Sequence, residues 1–186
     1  DWSTNGINYN SFQGGFGDGF YLKLDIYGVV LVDSYIGGAG LDVCSGVSFR
    51  SNLNGSKEVW IAGYANSNQN FPISSNSSLF GSYSGLNDGF VLRLNGVTEQ
   101  LMLGRWVGSA EDDYITDIDD TPGGPMFIGI TKAEGYSISQ NTSPTDGKFP
   151  NFIQNQGFHY PWYNTLQSDL GNYFLGRIDN TTNMLN

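Results

Sequence analysis

Apolar and polar residues alternate along this chain with a period of two, and one alternating segment recurs. Asp18-Gly-Phe-Tyr-Leu-Lys-Leu-Asp25 returns as Asp88-Gly-Phe-Val-Leu-Arg-Leu-Asn95, about 70 residues on. A weaker copy, Asn172-Tyr-Phe-Leu-Gly-Arg-Ile-Asp179, follows about 84 residues later. In each, a long cation (Lys23, Arg93, Arg177) sits between apolar neighbours, as on a strand whose side chains point alternately to two faces. The segments that follow also correspond. Tyr35-Ile-Gly-Gly-Ala-Gly-Leu-Asp42 matches Trp106-Val-Gly-Ser-Ala-Glu-Asp-Asp113, and Trp60-Ile-Ala-Gly-Tyr64 matches Met126-Phe-Ile-Gly-Ile130.

Turn chemistry repeats in step with these strands. Asn95-Gly96 is a two-residue hairpin signal, while Asn54-Gly55 and Pro122-Gly123-Gly124 fall at one equivalent place in successive repeats. The pattern predicts strands at 19–25, 28–36, 43–50 and 58–65, then at 89–95, 97–107, 114–119 and 125–131. Unbroken runs such as Gly28-Val-Val-Leu-Val32 mark sheets covered on both sides. No window carries a capped 3.6-residue period, so no helix is expected outside 141–171.

Four antiparallel strands per unit is the plan of a β-propeller blade. The expected fold is all-β, propeller-like, with four-stranded blades and about two and two-thirds repeats. The first repeat covers 1–74 and the second 75–140. An aromatic loop insertion occupies 141–171, and a third repeat begins at 172–186. Phe20 and Phe90 are expected at equivalent buried positions, and so are Lys23 and Arg93. So few repeats cannot close a ring, so the piece belongs to a longer polypeptide or is completed by neighbouring chains. The former is the favoured reading.

The string Ala62-Gly-Tyr-Ala-Asn-Ser-Asn-Gln-Asn-Phe-Pro-Ile73 resembles the SBBP β-propeller repeat, in which Gly-Tyr, a Ser-rich link and Asn/Asp-Phe-Pro follow one another. Leu79-Phe-Gly-Ser-Tyr-Ser-Gly85 and Asn87-Asp-Gly-Phe-Val-Leu-Arg-Leu-Asn95 resemble that family's Gly-rich turn and its Asp-Ala-Phe-Val-Thr-Lys-Leu strand. Tyr35-Ile-Gly-Gly38 and Glu111-Asp-Asp-Tyr-Ile-Thr-Asp-Ile118 are similar to two further elements. The resemblance covers residues 6–140; 141–171 have no counterpart, and the repeats are longer than the family's usual unit. It implies a propeller in an exported or cell-surface protein and carries no catalytic residues.

Composition narrows the function classes. Of 186 residues only 14% are charged, against about 25% in an average soluble domain, while 26 are glycine. The net charge of −10 would repel a phosphate backbone or an anionic membrane, and no cationic cluster relieves it. No apolar run nears the ~20 residues that span a bilayer, so membrane insertion is not expected. The chain begins at Asp1 without a signal-like segment and reads as a processed or excised product. Cys44 is alone: either a small buried apolar side chain or, outside the cell, an intermolecular thiol.

The remaining candidates are few. His159 is the lone histidine, and no nucleophile elbow accompanies it. Beside it, Tyr160, Trp162 and Tyr163 offer aromatic faces to a sugar or a protein partner, or fold onto their own blade. Asp113, Asp117 and Asp119 would share one strand face and offer oxygens to Ca²⁺, with Asp112 and Asp120 on the other. Turn capping is the competing account, and no other cofactor is indicated. Sequons occur at Asn54, Asn76, Asn141 and Asn180, all in expected turns or links. The leading expectation is a non-enzymatic structural or adhesive module of a secreted or cell-surface filament, sheath or adhesin. Its partners would be other protein subunits or the rest of a longer chain. Alternatives are a carbohydrate-binding propeller using the 158–163 insertion, with glycans as partners, and part of a propeller hydrolase or lyase.

Overall fold

The computed structural model describes residues 11–52, 54–66, 68–73, 83, 85–133, 136–137, 149–150 and 172–178. Every regular element among them is a strand: β1 (Gly19–Leu24), β2 (Val30–Ile36), β3 (Asp42–Ser51), β4 (Lys57–Ala65), β5 (Asp88–Asn95), β6 (Leu101–Val107), β7 (Asp113–Asp119), β8 (Met126–Thr131), β9 (Tyr136–Ser137), β10 (Phe149–Pro150) and β11 (Asn172–Arg177). No helix occurs among the described residues. The chain is all-β.

Three antiparallel sheets carry the fold. The first is β1-β2, the central one is β3-β4-β5-β6, and the third is β11-β8-β7. β9 and β10 form a separate short parallel pair. The sheets are out of phase with the sequence repeat. The central sheet takes two strands from residues 1–74 and two from 75–140, because each crossover between sheets falls mid-repeat. Of the 141–171 insertion, only β10 lies among the described residues.

Registers repeat faithfully. Phe20 opposes Tyr35 and Lys23 opposes Val32 in the first sheet, as Phe90 opposes Trp106 and Arg93 opposes Leu103 in the central one. Each hairpin slips at the same place, after Lys23 and after Arg93. β3 and β7 likewise share a bulge, at Cys44/Gly46 and Ile115/Asp117. Gly63 faces Phe90 across strands as Gly129 faces Phe174. Three pairs of equivalent segments thus carry equivalent hydrogen bonding.

The turns are wider than Asn95-Gly96 alone would give. Asn95 Oδ1 accepts from the amides of Val97 and Thr98, and Glu99 takes a left-handed φ of 57° before β6 begins. Asp25 does the same for Tyr27 and Val29, with Gly28 at φ 82°. An Asx cap therefore displaces the two-residue hairpin and delays β2 and β6 by two to four residues.

Alternation divides the central sheet between two cores. Val59, Ile61, Phe90, Leu92, Leu94 and Trp106 pack toward the first sheet, meeting Ile36 and Tyr21. Trp60, Ala62, Val91, Leu103 and Val107 pack toward the third, meeting Ile115, Ile118, Phe127 and Phe174. The three sheets thus stack in chain order, with one core in each gap. This arrangement overturns half of one expectation. Phe20 and Phe90 share a register position, but Phe90 is fully buried while Phe20 is 71% exposed. Phe20 points away from the stack, where no described sheet lies over it. Lys23 and Arg93 do match, both half-buried on the face toward the next sheet.

Candidate interaction surface

The first sheet's outer face follows from that alternation. Alternate residues of the two strands (Tyr21 and Lys23 on β1; Val32, Ser34 and Ile36 on β2) turn inward. Phe20, Leu22, Leu24 and Tyr35 are left outside, and all four are exposed. Phe12, Phe16, Ile26, Tyr27, Val30 and Leu31 are exposed in the same stretch. Large apolar side chains are thus concentrated on one short segment, which makes this face a candidate interaction surface. At the opposite end of the stack, the third sheet exposes Ile128, Tyr173 and Leu175 on its outer side. Their register equivalents in the central sheet, Ala62, Gly89 and Val91, are all buried.

Polar keys fasten the interior gaps. Across the first, Lys23 pairs with the nearly buried Glu99, and its Nζ also donates to the carbonyl of Gly96 at 2.9 Å. Tyr21 Oη donates to Glu99 at 3.1 Å; burial first, then the Glu99 charge, drives the phenol pKa upward. Across the second gap, Arg50 Nε meets the Asp120 carboxylate at 2.9 Å and its guanidinium donates to the Thr121 carbonyl. Ser45 Oγ donates to the carbonyl of Ile115 at 2.6 Å. Within the central sheet, Arg93 lies over the Trp60 ring, 5.5 Å from its centroid.

Buried carboxylates tie the crossovers. Asp42 accepts from the Gly38 amide at 2.7 Å, and Asp113 accepts from the amide and hydroxyl of Ser109. Gly37 and Gly108 leave the room that Asp18 and Asp88 occupy; a Cβ at either would fall 2.5 Å from the carboxyl group. The Asp-Gly-Phe and Gly-Gly motifs are thus two halves of one fastening. Burial, aided by the Asp18 charge and opposed by the Gly38 amide, pushes Asp42 up to about 6. Burial likewise pushes Asp113 up to about 6 against its hydrogen bonds from Thr131 and Ser109. Asp42 and Asp88 went unnoticed as fastenings in the sequence, although their repeated spacing before Gly-Phe and after Gly-Gly was the available signal.

The residues singled out from sequence separate. Asp113 is fully buried with Ile115, whereas Asp117 and Asp119 are exposed on either side of buried Ile118. The bulge at Ile115/Asp117 shifts strand parity, so Asp117 and Asp119 keep a common face but Asp113 does not share it. Among the described residues no three acidic, His or Cys groups gather to hold a metal ion. Cys44 is free and half-buried, packed under Gly19 where the next repeat has Ile115. Burial and the Asp42 charge push its thiol up to about 12, leaving it protonated and packing as a small apolar group. Beside it a cleft of about 650 Å³ opens between β1 and β3. Asn54 is exposed in the β3–β4 turn, its Oδ1 accepting from Ser56. Asn76, Asn141, Asn180, Tyr160, Trp162 and Tyr163 lie outside the described residues.

No family model and no curated protein matches the chain.

Proposed function

We propose that this chain is a non-enzymatic structural or adhesive module of a secreted or cell-surface assembly, its sheets serving as blades of the SBBP-like propeller type. The observation that carries the reading is the stack itself. The outer sheets each repeat registers of the central one, each gap is filled by apolar side chains, and both end faces expose apolar side chains among the described residues. An array of this kind is built to be continued, and its stability is a sum over neighbouring units. The net charge of −10 and the sparse charged residues fit a surface component that keeps clear of nucleic acid. The partners are other protein subunits or further repeats of a longer chain.

Surface proteolysis tests the location. Brief trypsin treatment of intact producing cells should release peptides from this chain, detected by mass spectrometry. Release only after lysis would overturn the reading.

A further inference from the structure

The two open faces are the two halves of an interface the molecule already makes twice. Phe20, Leu22 and Leu24 stand where Phe90, Leu92 and Leu94 stand in the central sheet. There the face is covered by the inner side of the sheet before it, through Tyr21 and Ile36, together with Phe71, Ile73 and Tyr83 of the β4–β5 link. That inner side is of the same register type as Met126, Ile128, Tyr173 and Leu175, the outer side of the third sheet. One chain therefore carries both a face of the covered type and a face of the covering type, at opposite ends.

We propose that a second copy of this chain seats the open face of its third sheet on the open face of this chain's first sheet, head to tail. The proposal rests on the module reading above and names its partner. Charge points the same way. Lys23 reaches across the first gap to the β5–β6 turn, at Gly96 and Glu99. Arg177 holds the position of Lys23 in the third sheet and pairs with no carboxylate among the described residues. On this chain the turn facing Arg177 of the second copy is 25–29, whose Asp25 brings a carboxylate to that end of the open face at the place of Asn95 rather than of Glu99. A heterologous contact of this kind closes into a ring or runs on as a filament; either product is the proposed assembly.

Sedimentation velocity on the whole chain tests it. Wild type should grow from monomer to dimer or larger as concentration rises to about 100 μM. Phe20→Asp and Leu175→Asp should each weaken self-association at least about 100-fold, because each puts a charge at the middle of a desolvated contact. Mixed together, the two variants should form a one-to-one dimer and nothing larger, since one intact pair of faces remains. Arg177→Glu should weaken association by about tenfold. Val97→Asp, in an exposed turn away from both faces, should associate like wild type. Near-ultraviolet circular dichroism from Trp60 and Trp106 checks that each variant is folded. Overturning results are a wild type that stays monomeric throughout, or a Leu175→Asp variant that associates as well as wild type. The second would mean like faces pair with like. Surface location is measured separately, so a monomeric chain released by trypsin from intact cells would overturn this inference alone.

Discussion

Phe20 and Phe90 occupy one register position in successive repeats, and their difference in burial converts directly into energy. Phe90 packs against Phe71 and Trp106 with ring centroids 4.9 and 6.4 Å away. Phe90→Ala should therefore lose about 3–5 kcal/mol in urea unfolding. Phe20→Ala should lose less than about 1 kcal/mol in dilute solution, since the ring is largely in water already. The buried carboxylates give a pH signature at the same scale. Asp42 and Asp113 titrate near 6 when folded against an ordinary 3.8, so the folded state holds protons that the unfolded state has released. Their contribution to stability is present below about pH 4 and is lost as pH rises through 6. The urea midpoint should fall across that window. Asp113→Asn should flatten part of the fall, each pKa unit being worth about 1.4 kcal/mol. An unchanged slope in the variant would show that the Asp113 carboxyl titrates normally.

At the scale of elements, the strands differ in how many sides are covered. β4 and β5 are hydrogen-bonded on both edges and packed on both faces. β1 and β2 form a two-stranded sheet with one face open. Hydrogen exchange should therefore be slowest in β4 and β5 and fastest in β1 and β2, by orders of magnitude. The Gly–Phe cross-strand pairs are a second device at this level. A Cβ at Gly129 would fall 2.4 Å from the Phe174 ring and 2.4 Å from the Tyr114 carbonyl. Gly129→Ala should destabilise by about 1–3 kcal/mol, read from the urea midpoint, because the ring must leave its rotamer.

For the whole molecule, a net charge of −10 opposes the meeting of two copies, while apolar faces favour it. Raising salt from about 20 to 500 mM shortens the Debye length well below molecular dimensions. Association should therefore tighten with salt, by sedimentation at fixed protein concentration. Stability becomes concentration-dependent for the same reason: Tm should rise with protein concentration in wild type and stay constant in Phe20→Asp.

Strand identity, the all-β class, the repeated register and the position of the turns were determined by sequence alone. Period-two alternation and Asn, Asp and Gly at fixed offsets act over a few residues, and each repeat spells them out again. Tertiary structure decided what those local rules leave free. The sheets form half a unit out of step with the repeat because the crossovers, pinned by Asp42 and Asp113, separate strands that are neighbours in sequence. One bulge residue in β7 sent Asp113 into the core and Asp117 to solvent, although plain alternation puts both on one side. Phe20 and Phe90, alike in sequence and in register, were told apart by what packs on them: Phe71 of the β4–β5 link lies against Phe90, whereas Phe20 is left exposed. Burial belongs to the neighbour as much as to the residue.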